Sequence, residues 1–143
     1  RWTGMALKNL AEFHLETGDI AVAERLFQRM RAISDETLDP GHSFHAVPLL
    51  GLGRVALAQG RAVEAEPLLR EALAIQEEHL GPDHQRTAEV QTWLGASLTA
   101  QGRPDEAQPL IEASARFGEG EARRSIQRAI RANQAAFRAA QRR

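Results

Sequence analysis

Glu16-Thr17-Gly18-Asp19-Ile20-Ala21-Val22-Ala23-Glu24-Arg25-Leu26-Phe27 is written again as Ala58-Gln59-Gly60-Arg61-Ala62-Val63-Glu64-Ala65-Glu66-Pro67-Leu68-Leu69, and a third time as Ala100-Gln101-Gly102-Arg103-Pro104-Asp105-Glu106-Ala107-Gln108-Pro109-Leu110-Ile111. Gly18, Gly60 and Gly102 are spaced by 42 residues both times, and Leu10, Leu52, Leu94 and Ala23, Ala65, Ala107 keep the same interval. A fixed period of this length marks a stacked array, in which each unit buries its apolar face only against its neighbours.

Outward from each glycine the apolar residues recur at three- and four-residue steps, the period of a helix. The spacing predicts a first helix over 3–17, with Leu7, Leu10, Ala11 and His14 on its buried stripe, and Gly18 ends it where a left-handed residue is needed. A second helix is expected over 19–36, with Ala23 small because the two helices approach closest there. Leu38-Asp39-Pro40-Gly41-His42 breaks the pattern, and Leu80-Gly81-Pro82-Asp83-His84 repeats the break one period later. The next pair spans 44–79, its first helix starting late because Pro48 is tolerated only in a first turn. A third pair spans 83–117, and after Gly118-Glu119-Gly120 a last helix fills 121–141. Nothing alternates with period two, so the fold class is all-α: three helix pairs over 3–117 (3–36, 44–79 and 83–117) and an amphipathic, arginine-rich C-terminal helix within 119–143.

Hydrophobic residues at 43% and charged ones at 26% exclude wholesale disorder. No apolar run approaches the roughly 18 residues of a membrane span, and the absence of cysteine excludes disulfides and thiolate metal sites. The start at Arg1 shows no n-region and h-region pair, so no signal peptide is expected and the location is read as cytoplasmic. The net charge of −1 hides a division: residues 119–143 carry seven arginines against two glutamates, a net of +5, which leaves −6 on residues 1–118. On a helical wheel Ala122, Ile126, Ala129, Ile130 and Phe137 share one flank, and Arg124, Arg128, Arg131 and Arg138 form a basic face opposite. Such a helix either caps the end of the array or lies on an anionic membrane surface or an acidic partner. Its shallow, alanine-rich apolar face favours the cap.

The chain resembles the tetratricopeptide repeat family, in the 42-residue variety of kinesin light chains and of many bacterial signalling proteins. The middle unit carries the resemblance: Leu52-Gly53 in the first helix, Gly60 at the turn, Ala65, Leu69 and Ala72 in the second, then Leu80-Gly81-Pro82-Asp83-His84. It departs from the family pattern at Ala11, where a small glycine is usual, at Ala62 and Pro104 in place of an aromatic, and at Met30 and Ser114 in place of a late alanine. The resemblance implies a superhelix whose first helices line a concave groove that holds a peptide or a helix of another protein.

The residues opposite the buried stripe point to a similar surface. Lys8, Asn9 and Glu12 come from the first unit, Val47, Leu50 and Arg54 from the second, Glu89 and Trp93 from the third. Val47, Leu50 and Trp93 make an apolar centre between cations and acids. Trp93 reads either as a binding hot spot in the wall or as core in the seam between units. Asn9 stands where related repeats place a peptide-binding asparagine, but Gly51 and Trp93 occupy the corresponding places, so no asparagine ladder is expected.

Little points to catalysis. There is no cysteine nucleophile, no glycine-rich phosphate loop, and Gly51-Leu52-Gly53 reads as close packing inside a helix. His42 and His45 can in principle share a metal, but His42 and His84 hold the same repeat position, which favours a structural task such as bonding a turn carbonyl. His14 reads as a core residue with one satisfied nitrogen. The expected function is therefore a non-catalytic scaffold that binds a protein or peptide partner, without metal, cofactor or small-molecule substrate. The alternative is a structural or regulatory segment of a larger assembly, with the basic helix as a contact. Nucleic acid is not expected, since no aromatics interleave the arginines and the array is acidic.

Overall fold

The structure, a computed structural model, describes residues 2–115, with side chains from Gly4 onward, and the isolated residues Arg131 and Arg142. The helix expected over 119–143, with Arg124, Arg128 and Arg138, lies outside the described residues; of its basic face only Arg131 is described, helical and exposed.

The described chain is helical throughout, with no strand: α1 (Trp2–Thr17), α2 (Ile20–Thr37), α3 (Ala46–Ala58), α4 (Ala62–Leu80), α5 (Gln85–Ala100) and α6 (Pro104–Ala115). Each helix packs on the next, and α1 also touches α3, as α3 touches α5. The first helices of the three pairs thus sit side by side on the inner row of a curving array.

The chain reverses in the same way three times. Gly18, Gly60 and Gly102 take φ of +95°, +75° and +76°, a region costly for any residue with a Cβ. Beyond each one the chain folds back on itself: the N–H groups of Asp19, Arg61 and Arg103 donate to the carbonyls of His14, Ala56 and Leu98 at 2.8, 2.8 and 2.9 Å. These six-to-one bonds satisfy carbonyls that the ending helix leaves open. The longer turns between pairs are also alike. His42 and His84 cap the following helical segment, their Nδ1 atoms accepting from the backbone N–H of Phe44 at 3.0 Å and of Arg86 at 3.1 Å. The shared task of these histidines is therefore to accept a backbone N–H, not to bond a carbonyl. The carbonyls fall to other side chains: the Asp39 carbonyl lies 2.8 Å from His45 Nε2, and the Gly81 carbonyl accepts from Thr87 Oγ1 at 2.9 Å. A short 3-10 turn, Ser43–His45, leads into α3, so that Pro48 falls in the first turn, where its missing N–H leaves no bond unmade.

Inside each pair the closest approach is held by alanine, since Ala23, Ala65 and Ala107 are all buried. Between pairs the fit depends on an exchange of sizes. Phe27 of α2 leans forward onto Gly51 of α3, where a Cβ would collide with its ring. One unit later Leu69 leans back onto Gly53 of its own pair, and Trp93, the counterpart of Gly51, fills the seam in the same cluster. Ala11, the counterpart of Gly53, is tolerated because Phe27 leans away from it.

Polar ties repeat across the seams. Gln59 Nε2 donates to Glu24 Oε2 at 2.9 Å, and its counterpart Gln101 donates to Glu66 Oε1 at 3.0 Å. Glu66 also accepts from Arg103 Nη1 at 2.6 Å and from Arg70 Nε at 2.7 Å. Partial removal from water pushes the Glu66 carboxyl up, but the hydrogen bonds from Arg70, Gln101 and Arg103 outweigh it and hold the group below its ordinary range.

Two outcomes follow from the seams. Gly51→Ala is expected to cost about 1–3 kcal/mol in denaturant unfolding through overpacking, and Phe27→Leu in the same chain should recover part of the loss. Glu66, with its folded pKa depressed, contributes stability above the ordinary carboxylate pKa that is lost as pH falls through the depressed value. Glu66→Gln should therefore lower Tm at pH 7, with the gap to the parent closing on strong acidification in a thermal melt series.

Candidate functional site on the concave face

The inner row brings together Lys8 and Glu12 of α1, Arg54 of α3, and Glu89 and Trp93 of α5. One turn of α1 separates Lys8 from Glu12, and their charges meet at 3.5 Å. Arg54, its side chain only 11% exposed, reaches across the seam so that Nη1 is 3.8 Å from Glu12 Oε1. Its guanidinium also lies over the Trp93 ring, with Cζ 4.8 Å from a ring centroid, a cation–π geometry. The Arg54 Nε–H is buried and has no acceptor among the described residues. A buried donor left unmatched costs on the order of 1–3 kcal/mol, so this atom is a cost that the packing over Trp93 carries.

Glu89 stands half-buried on the same side. Removal from water raises its carboxyl above the ordinary 4.5, the Arg54 charge opposes this, Glu12 adds to it, and Lys8 and Arg86 oppose it. Arg86 was not among the residues singled out from the sequence, although its place three residues before Glu89 on one helix was the available signal.

The remaining expected groove residues fall elsewhere. Leu50 is half-buried and packs under the cluster against the core that holds Trp93. Val47 packs in the seam of α1, α2 and α3. Trp93 is 7% exposed and sits among Ala56, Leu57, Leu69 and Leu94, showing the groove little beyond the face on which Arg54 rests. Asn9 is exposed, and its counterparts Gly51 and Trp93 face the preceding helix pair, so its register places it on the outer side of α1.

Two expectations for α1 need correction. His14 is not core: it is half-exposed at the helix end, with Nδ1 3.3 Å from Asp19 Oδ2. Leu10 is not on a buried stripe either, at 47% exposure, because no described helix covers that side of α1 as α2 covers α3. Among the described residues no three histidine, aspartate or glutamate side chains gather closely enough to hold a metal ion, and no helix is long and apolar enough to cross a membrane.

The tetratricopeptide repeat family model matches residues 2–78 and again 45–119. Among solved structures the chain is similar to the nearly identical TPR-like repeats of a kinesin light chain candidate from Podospora anserina, with 26% identity and a TM-score of 0.71 over 91% of this chain and 66% of that one. A point variant of those repeats gives 24% identity and a TM-score of 0.70 over 93% of this chain and 68% of that one, a likeness of fold. The chain thus spans about two thirds of the length of these structures. No curated protein sequence matches it.

The Glu89 environment gives a pH signature of opposite sign to that of Glu66. Its folded pKa is raised, so its ionisation destabilises the fold as pH climbs from the ordinary carboxylate value through the raised one. Glu89→Gln should melt higher than the parent at pH 7 and level with it below pH 4.5; equal melting at both pH values would remove Glu89 from the desolvated cluster.

Proposed function

The chain belongs to the tetratricopeptide repeat family, and from that premise we propose that it is a scaffold whose concave face binds a peptide segment or a helix of a partner protein. Repeats of this family are protein-interaction modules without chemistry of their own. What carries the finer reading here is Arg54. Its guanidinium lies over the Trp93 ring with Nη1 3.8 Å from Glu12 Oε1, and its side chain keeps an 11% exposure. A ligand carbonyl or carboxylate oxygen that accepts from the edge of the guanidinium left exposed would bond in a site largely removed from bulk water, where such a bond counts for more. Lys8 and Glu89 on either side would then select polar side chains of the ligand.

The same groups argue against a purely apolar ligand. Covering Arg54, Glu12 and Glu89 with hydrocarbon would strip their remaining water without replacing it. The surface fits a segment that brings its own donors and acceptors, as an extended peptide or the polar flank of an amphipathic helix does.

Selection of a random peptide library on the 143-residue protein provides the test. Selected peptides should bind Arg54→Lys, which keeps the charge and loses the planar fork of donors, at least about tenfold more weakly, near 1.4 kcal/mol. Gln108→Ala, on the exposed side of α6, should leave affinity unchanged. Peptides that bind Arg54→Lys and the parent equally would move the binding site away from this cluster.

A further inference from the structure

We infer that Glu89 receives a cationic side chain, lysine or arginine, of the segment bound on the concave face. The inference rests on the peptide reading of that face and names the chemistry of one contact in it. One and two periods before Glu89 the chain carries Val47 and Met5. Val47 packs in the seam of its unit, so the array itself has no need of a charge at this position. The third unit nevertheless places a carboxyl there, half-buried, and it forms no hydrogen bond and no ion pair among the described residues. Unlike Arg54 Nε and Gln91 Oε1, which are buried without partners, the Glu89 oxygens stay within reach of solvent.

The neighbouring charges are engaged elsewhere or stand too far off. Lys8 lies 3.5 Å from Glu12 and Arg54 Nη1 3.8 Å from it, so the acid of α1 holds both of these cations. Arg86, three residues before Glu89 on α5, acts on it without reaching ion-pair distance. Arg54, Lys8 and Arg86 favour the ionised carboxyl and Glu12 opposes it, yet removal from water outweighs the three cations and raises the group above its ordinary range. A carboxylate in this state costs the fold stability, because it has lost water and gained no partner. A cation brought by the ligand would supply that partner in a partly dry site, where the attraction is screened less than in bulk water. An acidic ligand residue at the same point would meet repulsion instead.

The test uses the 143-residue protein and a random peptide library acetylated at the N-terminus, so that every cation offered is a side chain. Peptides selected at pH 7 should be enriched in lysine and arginine over the input library, and selection on Glu89→Gln should lose that enrichment. For a selected peptide, replacing its basic residue by methionine should weaken binding to the parent at least about tenfold and binding to Glu89→Gln less than about twofold. Glu89→Gln keeps the shape of the side chain and relieves the desolvated charge, so lost coupling is not lost folding. Proton linkage gives a second readout. The carboxyl is raised in the free protein and held ionised by the cation in the complex, so binding releases protons in acid. Affinity for the parent should therefore climb with pH through the raised value and level off above it, and Glu89→Gln should lack that climb. Peptides that weaken on Arg54→Lys but show no basic preference and bind the parent and Glu89→Gln alike would overturn this inference and leave the concave site standing. Peptides indifferent to both variants would overturn the site and this contact with it.

Discussion

No helix pair in this chain can bury both of its faces by itself, and the structure follows from that constraint. Two antiparallel helices hide one stripe between them and leave another open, which must be closed by the next pair along. The closure is made by side-chain volume more than by hydrogen bonding. Phe27 needs the vacancy at Gly51, and Trp93 needs Leu69 to lean the other way onto Gly53. The two seams are filled with opposite distributions of bulk, so the array tolerates sequence change at a seam only when both sides change together. The three glycines that turn the chain serve this end: the matching bonds to the carbonyls of His14, Ala56 and Leu98 fix where the second helix of each pair begins, and hence which of its residues meets the seam.

The elements legible in the sequence were those fixed by short-range chemistry. Left-handed glycines, small residues at the close approach and the paired turns each have a local cause, and each recurs at the same interval. Less legible was anything decided by a side chain's direction. The letters place Gly51 and Trp93 at one repeat position, but whether that position holds a void or a large ring depends on whether the residue in the preceding helix leans forward or back. The same holds for Leu10, which matches Leu52 and Leu94 in the sequence and differs from them in burial. Periodicity identifies equivalent positions, whereas burial also requires a neighbour. His14 differs for a related reason: at the last turn of α1 it is Leu15 that packs on the core, while His14 turns to Asp19 within reach.

Of the residues expected on the inner flank, the charged ones gather beside the seams and the apolar ones sink into them. Lys8, Glu12, Arg54 and Glu89 lie on the inner flank because a helical wheel puts them opposite the stripe that packs on the second helix, and packing cannot easily reverse that. Val47, Leu50 and Trp93 share the flank by angle, yet apolar side chains near a seam are drawn into it by the area they can bury there. Arg54 is the exception that gives the face its character. Its long stem crosses the seam over Trp93, so the guanidinium is desolvated by core packing while its charge is set among the polar groups of the concave wall.

That placement links stability and recognition through one residue. The Trp93 ring is secured by the seam, and the Arg54 guanidinium rests on the ring, so its direction is set in folding. In the binding role proposed for it, the guanidinium would meet a ligand oxygen with its conformational entropy already lost in folding, the condition under which a single hydrogen bond contributes most to affinity. Glu12 restrains the guanidinium from the α1 side and Glu89 adds negative charge from α5, so the site draws on three successive helix pairs. A change in the stacking of any one pair would shift an acid relative to Arg54. The relative positions of Glu12, Arg54 and Glu89 are in this way coupled to the spacing of the array.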